Sequence, residues 1–196
     1  MSYNFYLEKS IKRIFTDFSC FGFWNEKEGR IIESLYYNEN WIWEYRHDDK
    51  NKYRYGLFTL SMILLAKDIF NLDTKQYDEK IIRNLNWIKS NESYFSISDY
   101  TYGGLLSLIL GYKHYNLFKN ELTTLIKKFN KVLSSIINAN DNQHYLILIS
   151  AKYHLDLFRD ETSQILSMKL TDKILDIQSE NGFFVSGNLR AFHHQR

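Results

Sequence analysis

Ser179-Glu180-Asn181-Gly182-Phe183-Phe184 ends a helical pattern, turns through a small residue and lays down two aromatics. The same shape recurs as Ser90-Asn91-Glu92-Ser93-Tyr94-Phe95 and as Ser19-Cys20-Phe21-Gly22-Phe23-Trp24. With the preceding residues included, 14–24, 85–95 and 174–184 align without a gap. The copies begin 71 and 89 residues apart, and the longer interval is two units of about 44 residues, a period typical of helical-hairpin repeats. The chain therefore reads as an array of helical hairpins.

Working outward from these punctuation points, apolar residues recur at helical spacing in two styles. Segments 3–19, 77–90, 119–138 and 161–178 carry one apolar face: Leu7, Ile11, Ile14, Phe15 and Phe18 in the first, and Ile165, Met168, Ile174 and Ile177 in the last. Segments 53–70, 102–115 and 144–158 are apolar nearly all round, the signature of a helix buried on most sides. The seven predicted helices alternate outer and inner. Asn71-Leu72, Asn116-Leu117 and Asp156-Leu157 close the three inner ones at steps of 45 and 40 residues. Asp73 and Thr74 supply an N-cap for the helix that follows them. Between Phe21 and Lys52 the helical period disappears, and aromatics alternate with charges. That segment is predicted to be an inserted aromatic-rich loop at 21–52, within a single repeat domain over 1–196; a loop of such length is often functional.

Composition narrows the classes. The chain of 196 residues is 44% hydrophobic and 24% charged, as expected of a folded core, but 17% aromatic is rich. Fifteen Tyr and four Trp suit a sugar or apolar ligand, and equally suit a core of large interlocking rings. A net charge of +2 supplies no field to attract nucleic acid or anionic lipid. The lone Cys20 excludes an internal disulfide and reads as a small core residue. No apolar run reaches the roughly 20 residues of a membrane span. The N-terminus lacks a secretory pattern, so a cytoplasmic location is expected. The absence of proline leaves Gly, Asn and Asp to mark turns.

The hairpin running from Tyr55-Gly56-Leu57-Phe58 to Tyr77 and on to Leu85-Asn86-Trp87-Ile88 resembles those of the six-hairpin glycosidase-like (α/α) toroids. The segment from Trp87 to Phe95, the run Tyr102-Gly103-Gly104-Leu105-Leu106, and Gln178 to Phe184 also resemble the repeats of terpene cyclases and protein prenyltransferases. The resemblance covers most of residues 53–184, and its motifs are turn and packing signals. It implies an all-α toroid of alternating inner and outer helices, incomplete at about seven. Residues 186–196 stand where an eighth, inner helix would begin. The expectation is therefore either further C-terminal hairpins or self-association at an open apolar edge.

In this arrangement the outer-to-inner connections form one rim, where the resembled toroids hold their active site. Asp99, Asp141, Glu44 and Asp48 are the candidate paired carboxylates of a glycoside hydrolase or lyase, with His144 and His47 as rim bases. Trp41, Trp43, Tyr102, Arg190, His193 and His194 are the candidate substrate-binding residues. Structural explanations compete: Asp99 and Asp141 directly precede helices and would serve as N-caps, and Glu44 and Asp48 would serve as solvated charges. His193 and His194 are adjacent and lie on different sides of a helix, so no metal site is predicted, and no cofactor. His114 and His154 fall near the ends of inner helices, a place suited to C-terminal helix capping.

An isoprenoid-binding alternative lacks its motifs. Asp48-Asp49 is only a fragment of the cyclase acid motif, and Cys20 lies outside the prenyltransferase zinc pattern. Gly103-Gly104 fits close helix packing better than a phosphate loop. The sequence thus points to a carbohydrate-active or carbohydrate-binding protein. An isoprenoid-binding protein and a non-catalytic scaffold for a peptide or glycan remain as alternatives.

Overall fold

A computed structural model describes residues 3–32, 35–37, 43–45, 53–95 and 100–124, with nine further positions between 150 and 172. The chain divides into two compact units, Met1–Tyr115 and Asn116–Arg196. The described residues are mostly helical.

In the first unit, α1 spans Tyr3–Ile14, α2 Arg54–Phe70, α3 Asp78–Ser90 and α4 Leu105–Tyr115. Each falls within a segment whose periodicity predicts it. α3 is one-faced: Ile81, Asn84, Leu85 and Ile88 are buried at i, i+3, i+4 and i+7. Its first turn carries Asp78 and Glu79 and its last turn Lys89, charges that complement the helix dipole. α4 buries every residue from Leu105 to Gly111, as an all-round apolar run requires. α2 is buried from Gly56 to Leu64 at its inward positions, yet Tyr55, Ile69 and Phe70 are exposed at its ends.

The closing Asn residues behave alike. Asn71 and Asn116 both adopt the left-handed conformation, at φ 51° and 55°, a helix-stop geometry that Asn tolerates better than most residues. The repeat in the sequence is thus a repeat of backbone geometry at these two stops. Asp73 accepts the Lys75 N–H at 3.0 Å ahead of the short 3₁₀ turn Lys75–Tyr77, which leads into α3; the predicted N-cap at Asp73 and Thr74 is corrected, because Thr74 caps that turn and Tyr77 caps α3, each without a side-chain cap bond.

The aligned Ser19 and Ser90 segments differ. α3 continues to Ser90, whereas α1 stops at Ile14, five residues short of the aligned Ser19. Asp17 turns the chain by accepting the Ser19 N–H at 2.9 Å, and Phe21 sits at φ 63°. The chain then folds back, so that the Trp24 N–H meets the Thr16 carbonyl at 3.0 Å. A Cβ on Gly22 would lie 1.8 Å from that carbonyl oxygen, so only glycine fits the return.

Two small antiparallel hairpins occupy parts of the predicted loop at 21–52, and the all-α expectation is corrected to this extent. β1, Trp24–Asn25, pairs with β2, Arg30–Ile31; β3, Leu35–Tyr37, pairs with β4, Trp43–Tyr45. In the first hairpin Gly29 takes φ 70°, and Asn25 accepts the Gly29 N–H through its carbonyl at 2.8 Å and the Glu28 N–H through its side chain at 3.0 Å. Strand β2 lies against α2 and α3. There the buried Asn84 side chain accepts the Ile31 N–H at 3.1 Å.

α4 is entered through a single π-type turn, Tyr100–Gly104, with Gly103 at φ 120°. A Cβ there would meet Ser61 Oγ at 2.6 Å and the Leu57 carbonyl oxygen at 2.8 Å, so this glycine lets the turn close onto α2. The predicted packing role of this glycine pair is therefore met at Gly103. Further along, Gly111 passes Leu85, whose methyl carbons would lie 2.9 and 3.0 Å from a Cβ.

In the second unit, residues 119–124 are helical and Leu122 is buried. Residues 161, 164, 165, 168, 169 and 172 are helical and exposed, and their spacing traces one face. Ile165 and Met168 thus lie on a solvent face beside Glu161, Gln164, Lys169 and Asp172, and not on the predicted apolar face. Ile174 and Ile177, the other residues of that predicted face, lie outside the described residues. No helix among the described residues is long and apolar enough to cross a membrane.

Candidate functional site

At the end of the first unit where α2 begins and α3 stops, four rings pack together. Tyr53 and Trp87 have centroids 5.4 Å apart, Tyr53 and Phe95 5.3 Å, Trp87 and Phe95 5.7 Å, and Phe95 and Tyr100 5.7 Å in an edge-on arrangement. These spacings are those of mutually favourable aromatic pairs. Only Trp87 among these rings lies within an α-helix, and it stands off the buried face of α3. The other three come from the residue before α2, the segment after α3 and the π-type turn, which the hairpin closure brings together.

Arg30 extends this cluster from β2. Its guanidinium lies 4.6 Å from the Trp87 ring centroid and 5.3 Å from that of Tyr53, and the residue is only 2% exposed. Burial of such a charge requires compensation. Glu28 supplies it through Arg30 Nε at 2.5 Å, and Arg30 also donates to the Ile31 carbonyl at 3.3 Å. A planar guanidinium stacks on a ring and donates within its own plane at once, which an ammonium cannot do.

Next to these rings along the chain, Tyr94 is 69% exposed and Tyr55 61%. Tyr94 directly precedes Phe95, and Tyr55 follows Tyr53 by two residues, so each exposed tyrosine adjoins a residue of the cluster in sequence. Asn91 fixes the approach to Tyr94, donating to the Trp87 carbonyl at 2.8 Å while its own carbonyl accepts the Tyr94 N–H at 2.9 Å. The carboxylates described here are already engaged: Glu28 with Arg30, and Glu92 with Lys89 at 2.8 Å.

Trp24 stands on a second side of the first unit. It is fully buried, donates its indole N–H to Glu26 at 2.7 Å, and is flanked by Lys80 and Arg83 at 5.2 and 5.6 Å from its ring. Arg83 forms an ion pair with Glu26, and its hydrogen bond, with that of Trp24, holds the Glu26 carboxyl below its ordinary value.

The far ends of the same helices hold an ionic network. Thr74 is fully buried; its hydroxyl donates to Asp78 at 2.7 Å and accepts from Lys67 at 2.6 Å, while the Tyr115 hydroxyl reaches Asp78 at 2.7 Å. Burial pushes the Asp78 carboxyl up, but the hydrogen bonds from Tyr115 and Thr74 and the charge of Lys67 outweigh it, leaving the group below its ordinary value. Burial, with the adjacent carboxylate, raises the Tyr115 phenol. Beside this group Asp68 pairs with Lys113 at 2.6 Å, and His114 Nε2 lies 3.2 Å from the same carboxylate oxygen, out of line for a hydrogen bond. His114 does occupy the last turn of α4, as its place in the sequence predicts.

Of the residues predicted to form the site, Trp43 and Glu44 lie in β4, opposite Tyr37 and Tyr36, and Tyr102 lies in the π-type turn. Trp41, Asp99, Asp141, His144, Arg190, His193 and His194 lie outside the described residues, as do His47 and Asp48. The aromatic floor with Arg30, and the exposed Tyr55 and Tyr94, were not singled out by sequence. The repeated aromatic pair Tyr94-Phe95 was the available signal: its second ring packs inward and its first is exposed. Cys20, expected in the core, is exposed. Among the described residues no group of three or more His, Cys, Asp or Glu is placed to hold a metal ion. No family model, curated protein or solved structure matches the chain.

Proposed function

We propose that the chain is an (α/α)-hairpin repeat protein of the toroid type that binds carbohydrate at the rim where α2 begins and α3 ends. The supporting observation is that two exposed tyrosines, Tyr55 and Tyr94, adjoin in sequence the residues Tyr53 and Phe95 of the packed cluster that includes Trp87 and Arg30. A ring on a fixed backbone loses little conformational entropy when a sugar face stacks on it, so more of the contact energy appears as affinity. The alternation of one-faced and all-round apolar segments supports the toroid arrangement, with the closing Asn turns marking its hairpins.

Binding is favoured over hydrolysis because Glu28 and Glu92 are both committed to ion pairs. A glycosidase needs two carboxyl groups free to flank the bond, so that reading rests on Glu44, Asp99 and Asp141. The test is a titration of the chain with a panel of oligosaccharides, read by tryptophan fluorescence and by calorimetry. Tyr94→Ala and Tyr55→Ala should each weaken binding roughly 3- to 10-fold, the value of one aromatic contact of about 0.5–1.5 kcal/mol. Tyr94→Phe should retain it. Silence across the panel, or affinity indifferent to both alanine variants, would sink the proposal.

A further inference from the structure

The ionic network at the opposite helix ends goes beyond the proposed binding rim. The charged and titratable groups facing His114 among the described residues come from three helices: Lys67 and Asp68 on α2, Asp78 at the start of α3, and Lys113 and Tyr115 on α4 itself. With a neutral imidazole and a neutral phenol, two lysines stand against two carboxylates and the network is balanced. Lys113 already contacts both oxygens of Asp68, at 2.6 and 2.8 Å. Lys67 is likewise occupied by Thr74 and Asp78, at 2.6 and 3.3 Å.

A proton on His114 would add a third cation beside Asp68, both of whose oxygens already contact Lys113, while Lys67, Thr74 and Tyr115 all converge on Asp78 Oδ1. The α4 C-terminus does favour a positive charge, but Lys113 already serves that end. We propose that this network is an acid-sensitive latch: protonation of His114 unbalances it and loosens the last turn of α4 from α2 and from the start of α3. Burial, reinforced by Lys67 and Lys113 and opposed by Asp68, holds the imidazole below its ordinary value. The folded state therefore prefers the neutral ring, and stability is lost as pH falls from about the unfolded histidine value of 6.5 through the lower folded one.

The experiment is amide hydrogen exchange on the full chain between pH 7.5 and 5, corrected for intrinsic rates, with Cε1 proton titration of the histidines. Exchange at Lys113 to Asn116 should rise several-fold as the pH falls, within the limit of about tenfold per pH unit set by one linked proton. His114→Gln should abolish the rise. Lys113→Gln, which removes the ammonium from both Asp68 oxygens, should move the His114 midpoint upward. This second variant decides the matter even if the first fails to fold. Flat exchange in the unaltered chain, an unchanged rise in His114→Gln, or an unmoved midpoint in Lys113→Gln would each overturn the latch.

Discussion

Asn84→Ala tests the join between the first hairpin and the helical core. The Asn84 side chain is 3% exposed and accepts the Ile31 N–H at 3.1 Å, on the edge of β2 that does not face β1. Truncation leaves that buried N–H unpaired, and such a loss costs about 1–3 kcal/mol. Alanine returns up to about 0.7 kcal/mol through its better helix propensity, so the net loss should be about 1–2 kcal/mol. For a chain of this size that lowers the melting temperature by about 2–8 °C. Urea unfolding should show a reduced midpoint with an unchanged slope, since the surface exposed on unfolding hardly changes. Asn86→Ala is the control, because Asn86 lies on the same helix but is exposed; it should remain within about 0.5 kcal/mol of the unaltered chain. Equal effects from the two substitutions would refute the reasoning, for then α3 would not hold the hairpin through Asn84.

Gly22→Ala forces a Cβ into the Thr16 carbonyl and should cost about 3 kcal/mol or more, read as a large drop in the urea midpoint or as insoluble expression; a near-neutral result would mean that the return after α1 is not fixed by this contact. Asp78→Asn should flatten the acid limb of the stability curve. The Asp78 carboxyl lies below its ordinary value in the folded state, so its contribution is present above about pH 4 and is lost as pH falls through the lower folded value. Urea midpoints at pH 5 and pH 2.5 should therefore differ less in the variant than in the unaltered chain, and an identical difference would remove Asp78 from the account.

The two classes of helix were legible because burial writes itself as periodicity. One-faced α3 and the fully buried α4 appear where their patterns place them, and the Asn stops at 71 and 116 share a backbone geometry that follows from residue type. The segment 21–52, expected as a loop because the helical period is missing there, differs in the structure. Aromatics alternating with charges between Phe21 and Lys52 carry the period of two of a strand, and parts of that segment are hairpins. Ile165 and Met168, expected on an apolar face, are exposed in the structure.

The amino-acid order by itself determined which segments become helices and where α2 and α4 stop, because those outcomes depend on neighbours within a few turns, whereas the need for glycine at 103 was set by Ser61 and Leu57 across the packing. Tertiary structure alone decided that Arg30 would be buried on Trp87, that Tyr53, Phe95 and Tyr100 would join them, and that Asp68, Asp78 and His114 would share one network. These partners lie tens of residues apart along the chain, and no local period encodes which of many aromatic and charged side chains will meet. The choice is made when the hairpins close and each buried charge or polar group must find a partner to offset the loss of water.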